Sequence, residues 1–327
     1  MKRFFLIFAV LPLLLCAPAG AQNRSRNAAS RTPKVRFMPQ WTPQAQFAGY
    51  YAALEKGFYA EEGIDVEIDH INATSRKSSL GHLRSGDVDI AMGQMLQAIV
   101  ANDGDFSLVN VLQTSQNSGL CCVANFPLPD LKALEGKKVG VWKTGFGEIA
   151  RMAADEAAVH VEWVPFLSGI NLLIAGATDA MLAYSYSELL QYYFATGELD
   201  ESKILHFSAI GYNYPEDGVY VTEKYLRTHR SEVEKFCRAS RRGWEWVAEN
   251  KEEALQIVKL YTDRYHVVTS DITQRYMLDE ILSLQLDKVS ARSFAPVNEV
   301  LFVEMLTKLR AAGFIQGDVD YNRFFAK

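Results

Sequence analysis

Residues 34–68, KVRFMPQWTPQAQFAGYYAALEKGFYAEEGIDVEI, decide the fold. Lys34 to Met38 alternates apolar and polar residues as a strand does, Gln44 to Lys56 reads as a helix ending at Gly57, and Ile64 to Ile68 is a second strand entered from Gly63. The unit is therefore β-α-β. The same alternation runs on, with a helix at Ser78 to Arg84, an apolar strand at Val88 to Met92, a helix at Met95 to Ala101 and a strand at Leu108 to Leu112. Strands that alternate with helices imply a mostly parallel sheet covered on both faces.

After a break the theme restarts. Leu120 to Ala124 is a strand, Pro127 to Pro129 a turn, and Lys138 to Trp142 (KVGVW) a strand leading to a helix after Gly147. Val161 to Val164, a helix near Ile170 to Ile174, Ala180 to Tyr184 and a helix through Tyr193 complete a second α/β lobe. Beyond Val219 to Val221 the pattern turns helical: Ser231-x-x-Glu234 and Asp271-x-x-Gln274 have the spacing of capping boxes, and Leu301, Met305 and Leu309 keep one face apolar up to Gly313. The chain is expected to leave lobe 1, build lobe 2 and return, crossing near Asn117 to Leu120 and near Gly211 to Asp217. Residues 34–118 with 217–327 form lobe 1 and 119–216 form lobe 2. The cleft between them is the expected ligand site.

The 327 residues are 49% hydrophobic and 22% charged, enough apolar content for sizeable cores and, at roughly 150 residues per domain, for two of them. Lys+Arg 34 against Asp+Glu 39 gives net charge −5 with no basic block, so the electrostatic footprint of a nucleic-acid binder is missing. Lys2 and Arg3, an apolar run from Phe4 to Leu15 and the small-x-small site Ala19-Gly20-Ala21 read as a secretory signal peptide over 1–21. The run is too short to span a bilayer. Its removal takes away two cations and no acids, moving the net charge to −7. A polar leader, 22–33, follows. Cys16 has Leu15 before it, where a lipoprotein signal wants a small residue, so a free periplasmic protein is expected. Cys121, Cys122 and Cys237 are an odd set, read as buried or half-buried free thiols.

Signals of enzyme chemistry are sparse. The six histidines (His70, His82, His160, His206, His229, His266) show neither HExxH nor zinc-ligand pairing with cysteine, and no G-x-S-x-G or G-x-x-x-x-G-K-[ST] occurs. Gly145-Phe146-Gly147, after the Lys138 to Trp142 strand, reads either as a tight strand-to-helix turn or as a loop whose amides approach a ligand. Trp41 follows the first strand, and Trp142 and Tyr184 end two strands of the second lobe. Strand ends of this kind face the cleft, where rings from both lobes clamp a flat ligand.

The stretch Trp41 to Val66 resembles the opening signature of the periplasmic solute-binding proteins that serve ABC importers, and more narrowly the branch that binds pyrimidine precursors of thiamin. The resemblance continues through Ser85-Gly86-Asp87-Val88-Asp89-Ile90, Leu134 to Trp142, and Thr178-Asp179-Ala180-Met181-Leu182-Ala183-Tyr184-Ser185-Tyr186-Ser187-Glu188, spanning about 34 to 222. It implies an α/β, two-lobed type II periplasmic binding protein, each lobe a mostly parallel sheet flanked by helices, with a helical C-terminal tail. It also implies that Trp41 and Tyr184 stack on a ring and that Glu188 receives an exocyclic amine, with Gln44, Tyr50, Gln94, Trp142, Gly145 and Phe146 placed around them. Ser185 and Ser187 depart from the branch and leave the ring substituent open. Related eukaryotic enzymes build the pyrimidine from a histidine of their own, using a cysteine-rich motif; the aligned position here is Phe47, and Cys121-Cys122 is not that motif.

The expectation is thus a monomeric, non-catalytic importer component that takes a small heteroaromatic, works with an inner-membrane permease and needs neither metal nor cofactor. A sensor module, a pyrimidine-synthesis enzyme, and a flavin or sulfonate binder are the alternatives. For a sulfonate, only Arg76 and Lys143 offer cations near the cleft.

Overall fold

The architecture rests on two sheets with one shared strand order. The computed structural model describes residues 32–71, 77–104, 106–143, 145–285 and 294–326; the signal segment 1–21, leader residues 22–31 and Arg76 lie outside the described residues. The chain from Thr32 onward is one compact unit. It begins with β1 (Lys34–Met38), a single 3-10 turn (Ala45–Phe47), α1 (Ala48–Glu55), α2 (Phe58–Glu61), β2 (Asp65–Ile68), α3 (Ser79–Ser85), β3 (Ile90–Gln94), α4 (Met95–Asn102) and β4 (Leu108–Gln113). It continues with β5 (Leu120–Ala124), β6 (Lys138–Trp142), α5 (Glu148–Glu156), β7 (Glu162–Phe166), α6 (Asn171–Ile174), β8 (Ala180–Tyr184), α7 (Glu188–Thr196) and β9 (Ile204–His206). After β10 (Asp217–Thr222) come α8 (Glu223–Thr228), α9 (Arg230–Glu249), α10 (Lys251–Arg264), α11 (Asp271–Gln285), α12 (Glu299–Ala311) and α13 (Tyr321–Phe324).

One sheet has the order β2-β1-β3-β10-β4, the other β7-β6-β8-β5-β9. In each, one strand runs against the rest: β10 is antiparallel to β3 and β4, and β5 to β8 and β9. Those are the strands that the chain enters directly after crossing between the sheets. Pro165 lies in β7, at a sheet edge, where a missing N–H leaves no ladder bond unmade.

Several local expectations shift. The third strand sits two residues later than its apolar run, because Gly93 and Gln94 extend it toward the cleft. Ser231 does not cap α9, which opens at Arg230 without a side-chain cap. The cap of α11 is Ser270, whose Oγ accepts from Thr273 N–H at 3.2 Å. Gln274 instead turns inward, where its Oε1 accepts from Ala45 N–H at 2.7 Å and ties the tail to the loop carrying Trp41.

The tail packs mainly on the first sheet. Helix α1 has Ala48 to Ala53 buried all round and meets α9 at very close range: a Cβ on Gly243 would lie 2.0 Å from Gly49 O, and one on Gly49 2.1 Å from the Trp244 ring. Helix α12 packs Phe302 on Phe324 and Phe325 near β4, yet its outer face reaches α5 of the other sheet. There Glu156 accepts from Lys308 Nζ at 2.7 Å and from Tyr212 O–H at 2.6 Å, and Tyr214 O–H donates to Glu304 at 2.8 Å. Cys121 and Cys122 are buried and Cys237 half-buried, all free thiols. Among the described residues no helix is long and apolar enough to cross a membrane.

The α1–α9 contact leaves no room for a side chain. Gly243→Ala sets a methyl against backbone, which cannot rotate away, so it should destabilise by about 1–3 kcal/mol. Denaturant unfolding monitored by circular dichroism checks this, with Gly211→Ala, where a Cβ meets open space but φ is +92°, as the control for strain without crowding.

Candidate functional site

The parallel strands of both sheets end at one cleft. Gln94 ends β3, Trp142 ends β6, Tyr184 ends β8, and Trp41 follows β1 by three residues. Five rings collect there. Trp142 and Tyr184 stack with centroids 5.0 Å apart, and Tyr184 also stacks on Tyr186 at 5.0 Å. Phe146 presents its edge to Trp142, Tyr184 and, across the cleft, Trp41 at 6.1 Å. It does so from the left-handed region, φ 66°, an unfavourable conformation for a bulky residue and one that concentrates at functional sites. Gly145 beside it has φ 111°, and a Cβ there would fall 2.4 Å from Gln97 Nε2 of α4, so only glycine allows this loop to close on the opposite helix.

The cleft is shut. Gln94 Nε2 donates to Tyr184 Oη at 2.5 Å, joining the two sheets, and the space left among Gln94, Phe146, Glu148, Tyr184 and Glu216 is about 10 Å3, enough for a single water. No ring fits a space of that size while the ends of the two sheets meet in this way.

Two acids, Glu148 and Glu216, line this space, and Glu188 and Asp217 adjoin residues that do. Glu188, the first residue of α7, is 8% exposed, and its Oε2 accepts from Tyr184 N–H at 3.1 Å. Glu148 opens α5 in the same way, part-buried. Glu216, 4% exposed, immediately precedes β10, and Asp217, 6% exposed, begins it. Asp217 accepts from Gln40 at 2.6 Å and from Gln46 at 2.7 Å, and Gln44 supports Gln46 by donating to its Oε1 at 2.6 Å. Glu216 Oε1 accepts from Ser118 O–H at 2.7 Å and from Gly119 N–H at 2.9 Å, both in the first crossing. Among the described residues no cation forms an ion pair with any of these four. Lys143 is exposed, and Arg151 lies over the Trp163 ring.

Burial raises the affinity of all four carboxyls for protons. Loss of water is the main cause throughout; it pushes Glu216 up to about 8, with repulsion from Asp217 adding to it, Glu188 to about 7 and Asp217 to about 6. Glu148 is raised as well, held back by Arg151 and the backbone amides of its helix start. His70 moves the other way, to about 4, because burial disfavours its cation. Its Nδ1 lies 2.8 Å from Trp41 O, which can only accept, so Nδ1 carries the proton and Nε2 accepts from Tyr51 O–H at 2.9 Å. This neutral histidine fixes the backbone that carries Trp41.

The structure thus brings together Trp41, Gln94, Trp142, Gly145, Phe146, Tyr184 and Glu188, with Gln44 acting through Gln46. Tyr50 requires correction: it is fully buried beside Phe37, Phe236 and Trp244, in the core of the first sheet rather than at the cleft. The sequence reading missed Glu148, Glu216 and Asp217. Two adjacent acids inside a predicted crossing, directly before an apolar strand, were the available signal for the last two.

The model of a family described as NMT1/THI5 like matches residues 44–254. The chain belongs to the NMT1/THI5-like family. This NMT1/THI5-like chain is 26% identical over 300 residues to a formylaminopyrimidine-binding protein of Halalkalibacterium halodurans, covering 88% of this chain and 87% of that one. It is 25% identical to the riboflavin-binding protein RibY of Chloroflexus aurantiacus, covering 99% and 97%. A Saccharomyces cerevisiae 4-amino-5-hydroxymethyl-2-methylpyrimidine phosphate synthase matches at 23% over 66% of this chain and 67% of its own. Among solved structures, the periplasmic aliphatic sulphonate binding protein SsuA of Escherichia coli superposes with TM-score 0.64 at 12% identity, covering 91% and 93%. The fold of this NMT1/THI5-like chain is the α/β periplasmic-binding-protein fold, two sheets flanked by helices with a helical C-terminal tail.

The raised carboxyls have a consequence for stability. An acid whose pKa is higher folded than unfolded holds its proton longer in the folded chain, so stability falls as pH rises through the window between the two values. His70, lowered in the fold, acts oppositely, with stability falling as pH drops from 6.5 toward 4. Between pH 6.5 and 8 only the acid effect remains, and Glu216 supplies up to about 2 kcal/mol of it. Melting temperature should fall across that interval in the wild type and stay flatter in Glu216→Gln; parallel slopes would contradict the assignment.

Proposed function

We propose that this chain is the solute-binding component of an ABC importer, exported to the periplasm, which closes its two lobes on a small amine-bearing heteroaromatic, an aminopyrimidine of the thiamin-precursor kind, and presents it to an inner-membrane permease. One observation carries the reading: five aromatic rings and four carboxyls gather about the same strand ends and, among the described residues, no cation forms an ion pair with the acids. A flat ring suits the aromatic faces, and an amine donates to the carboxylates. Binding works by differential affinity, because a ligand that touches both lobes only when they are shut shifts the equilibrium toward closure.

The same charge pattern argues against the sulfonate alternative. An anion brought into this cleft meets like charge without a compensating donor cluster. A flavin is the second reading, supported by the RibY relative and by the ring supply; its imide N–H also suits a carboxylate. Support for a binder over a synthase comes from Phe47, the position aligned with the histidine of the eukaryotic enzymes: it is buried against Tyr51 and His70 in the first lobe, away from the strand ends. The role as importer component rather than sensor rests on the family resemblance.

A thermal-shift panel followed by titration calorimetry tests this. 4-Amino-5-hydroxymethyl-2-methylpyrimidine should raise the melting temperature and an alkylsulfonate should not; stabilisation by the sulfonate alone, or turnover of the pyrimidine by the purified chain, overturns the reading. Trp41→Ala should weaken binding about tenfold, or about 1.4 kcal/mol, with little change in the melting temperature of the free protein.

A further inference from the structure

Within the functional reading just given, on which this inference rests, the cleft offers four carboxyl groups, and their hydrogen bonds separate them. Asp217 has both oxygens occupied, Oδ1 by Gln40 and Oδ2 by Gln46. Glu188 is turned to the backbone N–H of Tyr184 and does not line the space between the sheets. Glu148 lines it but is held by the amides of its own helix start. Glu216 also lines it, and both of its side-chain hydrogen bonds fall on Oε1. Neither of these donors bonds Oε2, and the remaining protein donor acting on the carboxyl is the Leu120 amide.

The backbone of Glu216 is as firmly placed as its side chain. Its N–H donates to Ser115 Oγ at 3.0 Å, and its carbonyl accepts from Met95 N–H, the first residue of α4, at 2.8 Å. One residue thus joins the first crossing, the second crossing and a helix of the first lobe, and it faces Tyr184 of the second lobe across the closed space.

We propose that Glu216 is the specificity-determining residue of the cleft: its Oε2 accepts the ligand's ring amine, and because the same carboxyl holds both crossings, that contact also drives closure. An amine-free ring of the same shape leaves this acceptor buried without a donor, which disfavours the closed state. Glu188, in this account, shapes the turn at Tyr184 and does not select the ligand.

Calorimetry on the full mature chain decides between them. The probes are 4-amino-5-hydroxymethyl-2-methylpyrimidine and its counterpart carrying a methyl group, which cannot donate, in place of the 4-amine. Wild type should prefer the amine at least tenfold. Glu216→Gln should lose tenfold to a hundredfold in affinity for the amine and most of its preference, while Glu188→Gln keeps the preference within threefold. Small-angle scattering should show compaction on adding the amine probe to wild type but not to Glu216→Gln. Glu216→Asp retains the charge with shorter reach and should also lose preference, which serves if the Gln variant does not fold. Preference retained in both Glu216 variants, or abolished in Glu188→Gln instead, overturns the inference. If the wild type binds neither probe, the functional reading itself fails and this inference falls with it; if it binds both equally, only this inference falls.

Discussion

Two neighbouring carboxyl groups, Glu216 and Asp217, are withdrawn from water where the chain returns to its first sheet, and much of the surrounding structure exists to satisfy them. A buried acid without donors is strongly disfavoured, so Ser118 and Gly119 from one crossing and Gln40 and Gln46 from the loop after β1 are drawn in. Those donors are the segments that a hinged protein must keep in register. The Asp217 carbonyl alone accepts from Gln113, from the Thr114 hydroxyl and from the Thr114 and Ser115 amides. Satisfying the pair fixes the hinge, and fixing the hinge sets how the strand ends of the two sheets meet.

That meeting explains the division of labour in the cleft. The second sheet contributes faces: Trp142, Tyr184 and Tyr186, stacked on one another. The first sheet contributes Trp41 and amide side chains. The acids come from helix starts and from the hinge. Carboxylates at the first position of α5 and α7 sit at the positive end of the helix dipole, which eases their charge while burial opposes it. The net outcome is a set of groups that are neutral or ionised according to what else occupies the cleft.

How much of this the sequence showed depends on where the information resides. β1, β5, β6 and β8 are legible to the residue, because alternating or solid apolar runs end at polar punctuation. β3 reads two residues too early because Gly93 and Gln94 carry no apolar signal although both are in the strand. α2 and β9, at four and three residues, are too short for any period to show. Tyr50 misleads for a different reason: α1 is buried on nearly every side, so its pattern has no polar face to say which residues point where. Glu216 and Asp217 leave only a faint trace, two adjacent acids in a crossing directly before an apolar strand, since charges are taken as solvated and their burial is tertiary. The strand-end rings are legible because topology, which the alternation reveals, dictates where strand ends go.

The shared strand order has a geometrical consequence. β1 corresponds to β6 and β3 to β8, so Gln94 and Tyr184, the last residues of β3 and β8, are counterparts. Counterparts can touch only close to an axis of symmetry, and Gln94 bonded to Tyr184 marks where an approximate twofold passes between the lobes. A molecule bound there lies on that axis and, in topology alone, would meet the same framework from either direction. The side chains break the tie, because an amide faces a phenol. Orientation of the guest is therefore encoded in the differences between equivalent positions, and substitutions that made the two halves more alike would cost it a unique pose before they cost it a site.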